Sequence, residues 1–332
     1  MSEANSSIPD ATPELAGRLI EGLAEVDARL HQVVDVGDEF IAGAARHLLA
    51  AGGKRFRPML TLLAAELGTG RNSEVVDAAA GVELTHLASL YHDDVMDQAT
   101  VRRGVVSANH AYDNSTAILV GDLLFGRASE LVAGLGPDAV LIQARTFVRL
   151  CIGQINDDRQ AAGDGDPIEH YLGILADKTG SLIATAARYG AMFAGCPDTT
   201  IDILTRYGEL VGIVFQLADD VLDITSEATE SGKTPGTDLR EGVATLPVLY
   251  ARGSTDPADQ RLVELLSRGP LTDDAEHAEA LRLLRVHPAV EQARQHTVSV
   301  ANDAAALLDP LGDDDALRVL RALPRQVASR SA

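Results

Sequence analysis

Twice along the 332-residue chain an apolar run with helical spacing ends in the pattern Asp-Asp-x-x-Asp, first in "LASLYHDDVMDQATVRRG" (87–104) and again in "VFQLADDVLDITSEATESGK" (214–233). Helical positions i and i+4 share a face, so Asp93 and Asp97 can hold one ion between them, with Asp94 turned about 100° away. Asp219 and Asp223 repeat that geometry around Asp220. One such cluster could equally be a solvated helix end. Two of them, each after apolar turns where unpaired carboxylates repel and resist desolvation, favour shared divalent cations. Oxygen-only ligands with room for water point to magnesium, which commonly bridges carboxylates to substrate phosphates.

The helical period dominates elsewhere too, with few alternating, strand-like stretches, so the expected fold class is all-α. After a polar, flexible tail (1–12), Thr12 and Pro13 cap and open a helix whose apolar positions Leu15, Leu19, Leu23, Val26, Leu30 and Val33 step by three or four. Further helices are expected near 38–51, 58–67, 74–99, 115–134, 138–160, 166–194, 198–225 and 243–251, and about three more over 257–329. Breaks fall at Gly52-Gly53, Gly136-Pro137, Gly195-Cys196-Pro197 and the polar stretch 226–242, whose second half reads as a mobile loop. With no long linker and no internal repeat, 13–330 is expected to form a single helical domain.

A net charge of −21 argues against nucleic acid as a partner, since phosphate-binding surfaces carry a basic excess. No apolar run reaches the roughly 18 residues of a membrane span. The first residues lack a signal-peptide pattern, and Cys151 and Cys196 form no metal or redox spacing, so a cytoplasmic location is expected. In so acidic a chain the basic clusters stand out. "AGGKRFRP" sets Lys54, Arg55 and Arg57 after paired glycines and before Pro58, where cations and free backbone N–H groups can converge on an anion. Arg102 and Arg103 can fold back on the first acidic cluster. His86 lies about two helical turns before Asp93 on the same face, as a ligand contact or a packed core residue.

Taken in order, "GGKRFRP", "HDDVMDQATVRRG", "DKTGSLIATA", "FQLADDVLD" and "GKTPGTDLREGVATLP" resemble the trans-isoprenyl diphosphate synthases, the polyprenyl synthetase family, over about residues 40–250. The resemblance implies an isoprenoid synthase fold, a helical bundle around a deep central cavity with the two aspartate clusters on facing helices at its mouth. It implies prenyl transfer in which about three magnesium ions bridge Asp93, Asp97 and Asp219 to an allylic diphosphate. Asp94, Asp220 and Asp223 stand behind them or coordinate through water. By the same resemblance Arg102, Lys178 and Lys233 would complete the allylic diphosphate site. Lys54, Arg57, His86 and Arg103, with Arg55 as an addition, would hold isopentenyl diphosphate. Thr179 and Gln216 turn oxygen dipoles toward the allylic cation or serve a plain structural role. Val243 stands where many members carry a lysine, which removes one diphosphate contact.

The family sets product length with side chains below the first cluster. Ser89 and Ala88, one turn deeper than Asp93, are small where short-chain enzymes place aromatic rings. Thr85, Gly81 and Ala78–Ala80 continue the small lining, with Leu84 the only bulky interruption. Products of about C35 to C50, of the kind used for quinone side chains, are therefore expected from a farnesyl or geranylgeranyl primer, because each added isoprene gains burial. Phe125 on the next helix could close the tunnel early, at about C15 to C25. A homodimer and transient membrane contact during product release are also expected. Two alternatives fit less well: a non-catalytic partner subunit would typically lose one aspartate cluster, and a terpene cyclase would not need the basic cluster.

Overall fold

In a computed structural model, residues 10–159, 165–226 and 235–329 are described, and they are helical almost throughout. Contacts divide the chain into two compact units. The first comprises Met1–Phe147, Leu182–Gly208 and Leu311–Val319, and the second Val148–Ser181, Glu209–Pro310 and Leu320–Ala332.

In the first unit, α1 (Pro13–Val34) starts as its sequence predicts, with the Thr12 hydroxyl accepting from the Leu15 N–H at 3.3 Å. It buries Leu15, Leu19, Val26 and Leu30, but its last turn buries Val34 rather than Val33, and Leu23 is only half-buried. α2 (Glu39–Ala50) and α3 (Phe56–Ala65) follow. α4 (Ser73–Met96) is the central helix, capped by the Asn72 side chain and packed against α1, α3 and α6 (Asn114–Gly134). Its stretch from Ala78 to Thr85 is buried continuously, the pattern of a helix surrounded by protein rather than one with a wet face. The Tyr91 hydroxyl donates to the Ala44 carbonyl at 2.5 Å, pinning α2 to the end of α4.

α4 stops at Met96, short of the predicted 99. Between it and α6 lies an unanticipated hairpin, β1 (Val101–Arg102) and β2 (Val105–Val106), and a one-turn helix α5 (Ala108–Ala111). Arg103 and Gly104 at the hairpin tip have φ of 54° and 78°, the left-handed pair that matches strand twist in a two-residue turn. α7 (Pro137–Arg159) comes next. The single helix expected over 166–194 is two, α8 (Pro167–Leu175) and α9 (Ser181–Phe193), joined by a π-helical turn at Ala176–Gly180.

α10 (Asp198–Thr225) carries the second aspartate cluster. In the second unit, its Leu217, Val221 and Ile224 form a core with Leu246, Leu265 and Leu284 from the C-terminal helices. Part of the polar stretch read as a mobile loop is instead the short helix α11 (Thr237–Glu241), because the Asp223 carboxylate accepts from its first N–H groups.

The close approach of α9 to α3 depends on Gly190, where a Cβ would lie 2.0 Å from the Thr61 carbonyl oxygen. Gly190→Ala should destabilise the protein by about 3 kcal/mol, because a backbone atom cannot yield as a side chain can. Gly17→Ala, in open space within α1, should stabilise it by about 0.5–1 kcal/mol. Denaturant unfolding of the two variants against the parent checks the opposite signs.

Candidate functional site

The first acidic cluster divides as helical geometry requires. Asp94 is fully buried, while Asp93 is half-buried and Asp97, the C-cap of α4, is exposed. The Asp94 carboxylate accepts from Arg102 Nε at 2.6 Å and from the Ala108 N–H at 2.9 Å, so it ties both the hairpin and the start of α5 to α4. Arg102 also reaches Asp97 at 3.5 Å. Burial opposes its charge, but the hydrogen bond to Asp94 and the attraction of Asp94, Asp93 and Asp97 raise its pKa above the ordinary value.

The hairpin tip sets Arg103 on the paired glycines, where Nη1 donates to the Gly52 carbonyl at 2.5 Å and to Leu48 at 3.2 Å. A Cβ on Gly53 would lie 3.0 Å from the guanidinium carbon, and the φ of 156° there is one that favours glycine. Arg55, in the left-handed region at φ 46°, is held by Asp27 of α1 at 2.9 Å and by buried Glu83 of α4 at 3.0 Å. Arg57 is half-buried with no partner at Nε. Burial pushes it down to about 10, with Glu83 opposing and the charge of Arg103 adding. Burial, and then the charges of Arg57, Arg103, Arg102 and Arg55, drive His86 well below the usual histidine range. A neutral imidazole facing several guanidinium groups is an environment that an anion would relieve. Lys54 stands exposed beside them in sequence.

In the second unit Asp219 is exposed and Asp220 buried. Asp220 accepts from the Tyr171 hydroxyl and, at 3.3 Å, from Gln216 Nε2. Burial pushes it up to about 8 against those two donors, with Asp238 and Asp219 adding to the rise. The two Asp223 oxygens accept from the N–H groups of Thr237 and Asp238, each at 3.1 Å. Arg285 closes the end of α10 by donating to the carbonyls of Ile224 and Ser226 at 2.7 and 2.8 Å. Lys178 and half-buried Thr179 sit on the π turn, a distortion frequent at functional sites. Lys178 Nζ donates to Asp157 at 2.6 Å. Arg149 braces the turn through Asp177 at 2.6 Å and Glu209 at 2.9 Å. Lys233 lies outside the described residues, and half-buried Val243 donates its N–H to the Asp238 carbonyl.

Of the proposed chain-length residues, Leu84, Thr85 and Ala88 are buried and Ser89 is half-buried. Deeper in the first unit, Gly81, Val82 and Thr85 line a small cavity with Val132, Thr146 and Tyr189. Leu84, one residue and about 100° away, does not line it, and neither do Ala88, Ser89 or Phe125. Phe125 stacks on Phe147 with ring centroids 4.0 Å apart. Sequence reasoning missed Tyr171, Asp157 and Phe147. The first two carry no motif of their own, and the hairpin also went unread, although the "TVRRGVV" alternation around Arg103 is the signal that could have found it.

Among the described residues no three carboxylate, histidine or cysteine groups already converge as a metal cage. Magnesium is usually held by one or two carboxylates, waters and substrate phosphates rather than an all-protein cage. The exposed Asp97 and Asp219 suit it by their donor chemistry.

The polyprenyl synthetase family model matches residues 38–284. The chain is 47% identical to a nonaprenyl diphosphate synthase of Mycobacterium tuberculosis over 93% of its own length and 92% of the relative's. It resembles the crystal structure of a geranylgeranyl pyrophosphate synthase from Corynebacterium glutamicum, described with calcium and isoprenyl diphosphate, at a TM-score of 0.86 and 44% identity, covering 96% of this chain and 98% of that one. A decaprenyl diphosphate synthase from Rhodobacter capsulatus matches at a TM-score of 0.86 and 32% identity, over 96% and 99% of the two chains.

The two kinds of aspartate should respond differently to removal. Asp94→Ala leaves Arg102 and the Ala108 N–H without their buried partner and should cost about 3–5 kcal/mol. Asp97→Ala, at an exposed position, should stay within about 0.5 kcal/mol. Denaturant unfolding, with hydrogen exchange at the Ala108 amide, separates them.

Proposed function

The chain belongs to the polyprenyl synthetase family, and from that premise we propose a trans-prenyltransferase that condenses isopentenyl diphosphate with farnesyl or geranylgeranyl diphosphate. Repeated additions give an all-trans polyprenyl diphosphate of about C35 to C50, suited to quinone side chains. The observation that carries the reading is the sorting of charge: each acidic cluster buries one carboxylate as a brace and leaves another exposed, while several guanidinium groups gather round a neutral His86. The basic cluster counts against a terpene cyclase, and the two intact acidic clusters count against a partner subunit.

Magnesium, when bound, neutralises charge on the departing diphosphate. Asp93, Asp97 and Asp219 are the residues we assign to it, about three ions being expected. Asp223 takes part from its place at the start of α11, and Asp94 and Asp220 hold the clusters in shape. Arg102, Lys178 and Lys233 bind the allylic diphosphate. Lys54, Arg57, Arg103 and His86 bind isopentenyl diphosphate, while Arg55, occupied by Asp27 and Glu83, positions that group. Gln216 donates its amide N–H to Asp220, which leaves its carbonyl oxygen, with the Thr179 hydroxyl, to face the allylic cation. The double bond of isopentenyl diphosphate attacks that cation, and the proton then lost goes to the released diphosphate.

We place the protein in the cytoplasm, working as a single prenyltransferase domain. No helix among the described residues is long and apolar enough to cross a membrane, and product release would involve transient membrane contact. Homodimer formation has a surface to use in the first unit, where Phe40, Ile41, Ile118 and Leu119 are exposed. Light scattering at micromolar concentration should give twice the chain mass.

Asp93→Asn and Asp219→Asn should each lower turnover by at least about a hundredfold with little change in thermal stability, because each removes charge stabilisation but no core packing. Lys54→Ala should mainly raise the KM for isopentenyl diphosphate, which steady-state assays with each substrate varied in turn would read.

A second reading, products of about C15 to C25, has one observation in its favour: Phe125, the ring that could close the tunnel early, is backed by Phe147 with centroids 4.0 Å apart. Ala88→Phe or Ser89→Phe should shorten the products to about C15 or C20 with turnover kept, since a ring one helical turn below Asp93 blocks growth without touching the aspartates. Chromatography of the dephosphorylated products reads the shift.

A further inference from the structure

The ion pair between Lys178 and Asp157 bears on how the second unit lets go of diphosphate. Lys178 Nζ donates to Asp157 at 2.6 Å, and both side chains are partly exposed, at 36% and 25%. The neighbouring charges have other engagements: Arg149 braces Asp177 and Glu209, and Asp158 accepts from Gln154. Asp157 lies one helical turn beyond Gly153 on the same face of α7. Gly153 is where α7 meets the π turn, since a Cβ there would lie 2.4 Å from the Lys178 backbone nitrogen. The contact at Gly153 and the Arg149–Asp177 bridge fix α7 against the π turn, so Asp157 stays within reach of Lys178 whichever anion the ammonium is serving.

We propose that Asp157 is a displaceable counter-ion for Lys178, a positioning residue that weakens diphosphate binding at this lysine and so speeds diphosphate release. This rests on the assignment of Lys178 to the allylic diphosphate. A diphosphate arriving at Lys178 must draw the ammonium from Asp157 and then sit beside a carboxylate of its own sign. Once condensation has freed inorganic diphosphate, Asp157 is already placed to recapture the ammonium. An enzyme that adds isoprene units in succession must clear that ion at every cycle, and a competing carboxylate on a rigid helix does so without a conformational change.

The test compares Asp157→Asn, which keeps shape and removes charge, with Asp158→Asn, a change of equal charge on the adjacent residue. Inorganic pyrophosphate is titrated calorimetrically in the presence of magnesium, and its dissociation rate is followed by rapid mixing. Asp157→Asn should tighten pyrophosphate binding about three- to tenfold, the range for a partly exposed ion pair, through slower dissociation, while Asp158→Asn matches the parent. Thermal melting confirms that each variant is folded. Equal or weaker binding by folded Asp157→Asn, as a carboxylate that helps hold the metal would give, overturns the proposal, and so does equal tightening by Asp158→Asn. If the parent itself binds no pyrophosphate, the assignment of function fails first.

Discussion

A carboxylate without access to solvent organises the first acidic cluster. Asp94 can stay there only because Arg102 and the Ala108 amide satisfy it, and those bonds in turn fold the hairpin back on α4 and start α5. The consequence reaches further along the hairpin. Its tip carries Arg103 to the Gly52–Gly53 turn, and Arg103 is one of the charges that hold His86 neutral. One burial event thus places an acidic and a basic group from distant parts of the sequence. The second unit repeats the device with Asp220, buried against Tyr171 and Gln216, leaving Asp219 to solvent.

The three aspartates of each motif thus differ in burial: Asp94 and Asp220 go inward, and Asp97 and Asp219 stay exposed. Helical spacing puts one residue roughly 100° from the other two, so when the helix packs, one carboxylate must go inward. An inward carboxylate would be costly alone. Paired, it becomes the brace that keeps its neighbours at a set position on the surface, where metal ions and phosphates can reach them.

Much of this was legible in the sequence. The three-four spacing of Leu15, Leu19, Val26 and Leu30 and the Thr12-Pro13 start predict α1 nearly to the residue, because local capping and burial act together there. The spacing of Asp93, Asp94 and Asp97 predicts which of them points away from the others. The rest depends on tertiary partners. Nothing local says that 166–194 breaks into two helices, because the π turn at Ala176–Gly180 is held by Arg149 from another helix. The helix at Thr237–Glu241 exists because Asp223, fourteen residues earlier, caps it. The ion pairs of Arg55 with Asp27 and Glu83 join residues 28 positions apart, which no local pattern announces.

We propose that the carboxylates each acidic cluster keeps outside the core, together with the guanidinium cluster, serve one condensation between two diphosphates. The most direct measurement incubates the protein with magnesium, farnesyl diphosphate and labelled isopentenyl diphosphate and resolves the products by length. Label in all-trans chains of about C35 to C50, formed only with both substrates and magnesium present, is the result this account predicts. Release of diphosphate from farnesyl diphosphate with no label incorporated would contradict it, as would the absence of any reaction by the folded protein alone.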